Sequence, residues 1–322
     1  MKIKRHFTTY GFTYALFGGT LFMLSIAQFN VSAASIFSVS LRQAGVLGVL
    51  TLGLCFVVLI GEMDFSCGAL LSLGGGLCAG LVLEYHLPLW AGIALSVVVC
   101  SICGLLNGIL VVKLKLHSSI VTLATMMLFS GGNLFISQFI GAVVLPPAFA
   151  AFMSFGSSKF LGIPNIAWIW LILFAIVALI LRYTYYGRYF YGIGNSRSAM
   201  ETMAINVPKY RIAAYTLSGM FAGIAGILML SRIGISRSEA NISFVFDGMI
   251  ALTLGGFSLR GGKGNVTGVM LGIIIITLIT ICMTANGLYD YAQSVIKVLI
   301  FIVAVSVDKA IELKQQRIYF DR

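Results

Sequence analysis

The sequence predicts an all-α, polytopic membrane protein with about ten membrane segments, eight being the alternative count, and with both termini cytoplasmic. Three observations carry that prediction. Hydrophobic residues fill 59% of the 322 positions and charged residues only 10%, where a soluble domain carries about 25% charged; mean hydropathy is +1.02. The apolar residues fall in runs near the ~20 residues that a bilayer core requires. The net charge of +11 comes from basic residues in the short gaps between those runs. It therefore reads as membrane topology and not as affinity for nucleic acid.

Taken in order, Met1 to His6 is basic and an apolar run follows to about Phe29. It reads as an uncleaved first segment; Val31-Ser32-Ala33 behind it offers a cleaved leader as the alternative. Further runs cover roughly 43–60, 66–83, 88–112, 118–140 and 165–182, then 211–231, 246–259, 265–286 and 290–307. The 246–259 run is short enough for a half-spanning element. With the N-terminus inside and each segment crossing once, sixteen of the 21 lysines and arginines fall in cytoplasmic stretches and four outside, with Lys297 inside a segment. That asymmetry sets the orientation, and it requires 246–259 to reach the cytoplasmic face.

Small residues pattern the spans. Gly76/Gly80, Gly104/Gly108, Gly219/Gly223 and Gly268/Gly272 stand four apart, the spacing that lets backbones approach in lipid. They serve either packing within one subunit or a seam between two. The six cysteines all lie in apolar runs, and Cys100 and Cys103 have no histidine or further cysteine beside them, so buried thiols are expected. No metal-ligand set, paired carboxylates or nucleophile elbow is visible. Leu252–Asn265 misses the phosphate-loop spacing at Phe257 and Gly264, so this chain is expected to hydrolyse no ATP and to bind no cofactor of its own.

Polar residues inside the spans are few. Asn107, Thr122, Thr125, Asn133 and Gln138 either line an uncharged translocation path or bond one helix to the next. Lys297 would cost ~2.5–3.5 kcal/mol at a bilayer centre; it either snorkels outward or pairs with an acid, Asp247 or Asp290.

The longest charged interruption is Gly187–Arg211, where Arg188, Arg197, Lys209 and Arg211 face one acid, Glu201. Ser196 is a suitable N-cap and Pro208 disfavours helix at Val207, so a short helix is expected over 196–206. Met200, Met203 and Ala204 would then share a face. A solvated basic loop is the plainer reading; a docking helix is the other.

That stretch resembles the cytoplasmic loop of ribose-type ABC importer permeases, GRYxYAIGGNxxAAxxxGINV, at Gly187, Arg188, Tyr189, Tyr191, Ile193, Gly194, Ala199, Ile205, Asn206 and Val207. It departs where Arg197 and Ser198 replace the usual acidic residues and Ala204 the usual glycine. Three more stretches are similar to motifs of the same family, part of the branched-chain amino acid and ribose-like membrane-subunit superfamily. Gly61–Gly68 resembles GGIDLSVG, with Glu62 in place of a glycine. Lys113–Met126 resembles KLKxPxFIVTLATM, with His117 or Ser118 in place of the proline. Leu254–Gly264 resembles LGGxSLxGGxG.

The resemblance implies a single permease domain over 1–322, with 183–211 as its cytoplasmic coupling loop. Arg188, Arg197, Ala199, Met200, Met203 and Ala204 would meet an ATPase. Asp64, Gly255, Gly256, Gly261, Gly262 and Lys263 would form signature turns, with Asp64 either capping the next helix or latching to Lys263. Glu62 has no partner assignable from sequence. The implied partners are a two-cassette ATPase carrying ATP and Mg, a second permease, an extracytoplasmic sugar-binding protein and the lipid of a bacterial inner membrane. The implied function is import of a monosaccharide, with a nucleoside ABC permease or an ion-coupled sugar carrier as alternatives.

Overall fold

A computed structural model of the chain describes residues 33–140, 145, 149–234 and 242–320, without the side chains of 33–35, 137–140 and 307–320. The described residues form twelve helices. In chain order they are α1 (Ala33–Leu59), α2 (Cys67–Leu83), α3 (Leu89–Lys113), α4 (Ser118–Ile140), α5 (Ala150–Ser157) and α6 (Asn165–Tyr183). Then follow α7 (Tyr185–Asn195), α8 (Arg197–Thr202), α9 (Val207–Ile233), α10 (Ile242–Leu254), α11 (Val266–Ala285) and α12 (Asp290–Phe320). Helices α1, α3, α4, α6, α9 and α11 are long and apolar enough to cross a membrane, while α2 and α10 are shorter apolar helices. The first predicted segment lies outside the described residues.

Burial sorts the helices into an inner and an outer set. The apolar window of α1 is 83% buried, against 28% for α4 and α6, so α1 is the axis. Around it pack α6, α9, α10 and α11, and α9 in turn packs on α2 and α3. Phe56 of α1 stacks on Phe221 of α9 at 6.4 Å and meets the edge of Phe190 from α7 at 5.3 Å. The outward faces of α3, α4 and α6 expose Leu106, Met127, Leu128 and Ile172, as helices whose solvent is lipid do.

Helix boundaries follow local chemistry. α9 opens at Val207, earlier than the apolar run indicated, because Asn206 accepts from the Lys209 N–H at 3.1 Å and Pro208 sits in the first turn, where it has no helical bond to lose. α10 covers 242–254 instead of 246–259, because Gly256 takes φ +83° and turns the chain. A two-residue hairpin, β1 (Lys159–Phe160) against β2 (Ile163–Pro164), escaped the sequence reading. Its Leu161-Gly162 turn has φ of 52° and 80°, the geometry of a tight hairpin turn.

The glycine pairs mostly mark contacts inside this chain. A Cβ on Gly104 would overlap the Tyr215 carbonyl, and one on Gly219 the Cys100 carbonyl, so α3 and α9 touch backbone to backbone. Gly272 does the same for α11 against Ala251 of α10, and Gly268 against Gly255 just past the end of α10. Such contacts leave no room for sliding without separation.

Lys297 on α12 is buried and donates to the Asp247 Oδ2 of α10 at 2.8 Å, which resolves its sequence alternatives in favour of pairing. The pair ties the short α10 to α12 within an apolar surround. Removing one partner strands a buried charge, whereas removing both leaves an apolar contact. Lys297→Met alone is therefore expected to lose about 3–5 kcal/mol of stability, and Asp247→Leu with Lys297→Met to recover most of it. Denaturant unfolding in detergent measures both; equal losses would contradict the assignment.

Candidate functional site

All four motif stretches converge at one end of the bundle. The α1–α2 turn, the α3–α4 loop, the α7–α8 segment and the glycine turn after α10 hold one another by hydrogen bonds. Gly262 N donates to Leu59 O at 2.8 Å, and Asn195 Nδ2 to Gly262 O at 3.1 Å. The Tyr191 hydroxyl donates to Gly264 O at 3.0 Å, and Met63 N to Ser118 Oγ at 3.3 Å. Close approach explains the glycines here: a Cβ on Gly194 would overlap Leu59 O and Gly262 N, and Gly261 has φ +86°.

Glu62 is the centre of this end. It is 4% exposed. Its Oε1 accepts from Arg197 Nη2 at 2.7 Å and from Arg211 Nε at 2.6 Å, and its Oε2 from the Tyr215 hydroxyl at 2.8 Å. Arg197 Nη2 also reaches Ile60 O at 3.3 Å. Asp64, fully buried two residues on, takes neutral donors instead. Its Oδ1 accepts from Ser66 N at 2.9 Å and Ser66 Oγ at 2.6 Å, and its Oδ2 from Ser218 Oγ at 2.6 Å. Burial raises the Asp64 pKa, and the Ser218 and Ser66 hydrogen bonds oppose the rise. Its partners are these serines and not Lys263, which stands exposed at the rim. Ser66 in turn accepts from Asn107 Nδ2 at 2.7 Å.

Helix α9 supplies three of the partners from one face. Arg211, Tyr215 and Ser218 stand at i, i+4 and i+7, so one turn after another meets Glu62, Glu62 and Asp64. This hub was missed in sequence. The readable signal was an acid in a glycine's place, beside a helix presenting Arg, Tyr and Ser at helical spacing.

The 187–211 loop differs from its sequence reading. It holds two helices, α7 capped by Thr184 and α8 capped by Ser196, whose Oγ accepts from Ala199 N at 3.3 Å. The Ser196 cap matches expectation, but α8 ends at Thr202 and not near Asn206. Ala204 takes φ +58°; its N–H bonds Glu201 O at 2.9 Å and the Ile205 N–H bonds Met200 O at 3.1 Å, a Schellman stop. Met200 and Met203 consequently part company. Met200 is buried, its sulfur against Gly192, while Met203 is 71% exposed. Arg188, Ala199 and Ala204 are exposed as well.

Of the polar span residues, Asn107, Thr122, Thr125 and Asn133 are buried. Thr122 Oγ1 returns to Ser118 O at 2.9 Å and Thr125 Oγ1 to Val121 O at 3.1 Å, within their own helix. The Gln138 side chain lies outside the described residues. These α4 residues share a buried stripe with Phe129, and α4 packs chiefly on α2. At its far end, the α2–α4 seam opens into a cleft of about 560 Å³ between Leu81 and Phe135.

Two expectations follow. Alanine in a left-handed stop is less favourable than glycine, so Ala204→Gly should stabilise the protein by about 1 kcal/mol in an unfolding titration. Arg211 is 17% exposed and Arg197 43%, so solvent screens the second pair more. Arg211→Met should therefore cost about 3 kcal/mol and Arg197→Met about 0.5–1 kcal/mol, and a reversed order would displace Glu62 from the centre.

Known proteins resemble this sequence over most of its length. Residues 35–305 match the family model described as branched-chain amino acid transport system / permease component. Ribose import permease protein RbsC of Haemophilus influenzae is 32% identical over 279 residues, 85% of each chain. RbsC of Bacillus subtilis is 33% identical over 269 residues, 84% of this chain and 83% of that one. The autoinducer 2 import system permease protein LsrD of Photorhabdus laumondii is 28% identical over 323 residues, 96% of this chain and 94% of its own. Among solved structures there is no match. With most of its length matched and its apolar helices in place, the chain belongs to the family of branched-chain amino acid transport system permease components, multi-pass proteins of the inner membrane.

Proposed function

We propose that this chain is the membrane-spanning subunit of an ATP-driven importer for a monosaccharide or a similarly small polyhydroxylated solute. The relatives named for ribose and autoinducer 2 import support that substrate class. The carrying observation is the lock of the α7–α8 loop onto the bundle through Glu62, Arg197 and Arg211. A loop tied to α1 and α9 by charge-assisted bonds transmits displacement; a merely solvated loop needs no such anchoring.

On this reading 183–211 is the coupling loop of a single permease domain. It docks on a separate two-cassette ATPase that holds ATP and Mg. Exposed Arg188, Ala199, Met203 and Ala204 form the outer contact, while Arg197 and Met200 join the loop to the bundle. The chain crosses the membrane ten times with both termini cytoplasmic. It pairs with a second permease and receives solute from an extracytoplasmic binding protein. Nucleotide-driven closure of the ATPase moves α8, and the Glu62 hub passes that movement to α1, α2 and α9, biasing a bundle with two arrangements.

The chain's own chemistry in this scheme is positional. Thr122, Thr125 and Asn133 offer neutral polar groups to solute along the α2–α4 seam, and Asn107 of α3 adds another beside Ser66. A second reading, an ion-coupled carrier, draws on one observation, the buried Asp247–Lys297 pair. Reconstitution separates the two. With the ATPase and binding protein present, Arg197→Glu or Ala204→Trp should cut uptake about tenfold or more while ATP hydrolysis and membrane insertion continue. Unchanged uptake in both variants, or uptake by the chain alone on an ion gradient, would defeat the proposal.

A further inference from the structure

Over Glu62 lies a cavity of about 460 Å³, walled by the α1–α2 turn, the α3–α4 loop and the start of α8 and α9. Its charged lining is Glu62, Lys115, His117, Arg197 and Arg211. The single carboxylate is already committed: Oε1 to both arginines and Oε2 to Tyr215. Two arginines and a lysine face one glutamate, so the cavity stays net positive. Helix α4, 23 residues long, starts at its wall with Ser118 and adds the positive end of its dipole.

The surround is apolar in a particular direction. Leu116 lines the cavity and is exposed, as is Leu114 beside it, and Ile120 and Leu123 are exposed on the following turns of α4. These residues join the cationic cavity to the outward face of α4. A free anion needs only the cavity. A phospholipid needs both, its phosphate in the cavity and its acyl chains along Leu116, Ile120 and Leu123. Basic pockets between membrane helices on the cytoplasmic side suit anionic headgroups.

We propose that this cavity seats the headgroup of an anionic phospholipid from the adjacent leaflet. The assignment rests on the reading that this end of the bundle faces the cytoplasm, and not on the solute or on the ATPase. Arg197 and Arg211 would then be shared between Glu62 and the lipid phosphate, while Lys115 and His117 close the site from the α3–α4 loop. Bound lipid joins that loop to α8.

The test uses the purified full-length chain in a neutral detergent, with thermal unfolding followed as additives are titrated at matched ionic strength. Dioleoylphosphatidylglycerol should raise the unfolding midpoint; dioleoylphosphatidylcholine and inorganic phosphate should not. Lys115→Gln with His117→Gln changes only exposed side chains, so its midpoint in phosphatidylcholine should match the parent's. That variant should need about fivefold more phosphatidylglycerol for the same shift. Equal responses to the two lipids would overturn the proposal, as would an unchanged phosphatidylglycerol response in the double variant. A phosphate response as large as that of phosphatidylglycerol would make the occupant a soluble anion and overturn the lipid assignment. Transport plays no part in the readout, so a failed importer model and a failed lipid site give different results.

Discussion

A carboxylate kept from water at the end of α1 governs this end of the protein. Glu62 stands in the turn just past Leu59, the last residue of the deeply buried α1, and is itself only 4% exposed. Leaving it unpaired there would cost several kcal/mol. The chain answers with two guanidinium groups and a phenol, drawn from α8 and α9. Those partners stand 135 to 153 residues away in sequence, so satisfying one side chain fixes the loop, the turn and the start of α9 together. Asp64 is buried as deeply but meets only hydroxyl and amide donors. The contrast assigns different tasks: Asp64 organises the start of α2, and Glu62 holds the loop.

Two departures from the motifs that the sequence resembles become one feature in three dimensions. Where the pattern has a glycine this chain has Glu62, and where it has an acid this chain has Arg197. The two side chains are in contact at 2.7 Å. Arg197 alone would lack this carboxylate, whereas Glu62 alone would keep Arg211 and Tyr215, so Arg197 adds a second guanidinium to an acid already held by α9. The departure at Ala204 has no such compensation. Ala204 keeps the left-handed backbone that the glycine would adopt freely, because the Met200 and Glu201 carbonyls still need the two hydrogen bonds that end α8.

Hydropathy made the spans legible, since crossing a bilayer constrains length and composition within a single segment. α6 lies within a residue of its predicted bounds for that reason, and the Ser196 cap and the buried thiols were local inferences too, though Cys103 is only half-buried. What escaped was set by tertiary contact. The end of α8 depends on Ala204 accepting a conformation that its side chain disfavours. The inward turn of Met200 depends on a space beside Gly192. The partner of Lys297 could be narrowed to two acids but not chosen, because choosing needs the register of α12 against α10. The motifs were each readable as strings; their convergence on Glu62 was not, as no single stretch contains it.

The two buried ionic centres act on different parts of the bundle, and this difference bears on how movement would pass through it. Between the α9 face carrying Arg211, Tyr215 and Ser218 and the helices α2 and α3 lie the backbone contacts at Gly104, Gly219 and Gly226. Side chains there have no slack, so α2, α3 and α9 displace together or come apart. The Asp247–Lys297 pair instead joins the short α10 to α12, with α11 packed against α10 at Gly268 and Gly272. Replacing such a pair by apolar groups is commonly neutral or stabilising by about 1–4 kcal/mol, so stability alone is a weak reason for its presence. Register is the stronger one: a helix of 13 residues has few turns with which to hold its depth, and a single ion pair to α12 fixes it. On the proposed reading, a push on α8 thus enters one rigid group through Glu62, and reaches the other through the packing of α1 on α10 and α11 and the 2.8 Å hydrogen bond from Gly262 N to Leu59 O.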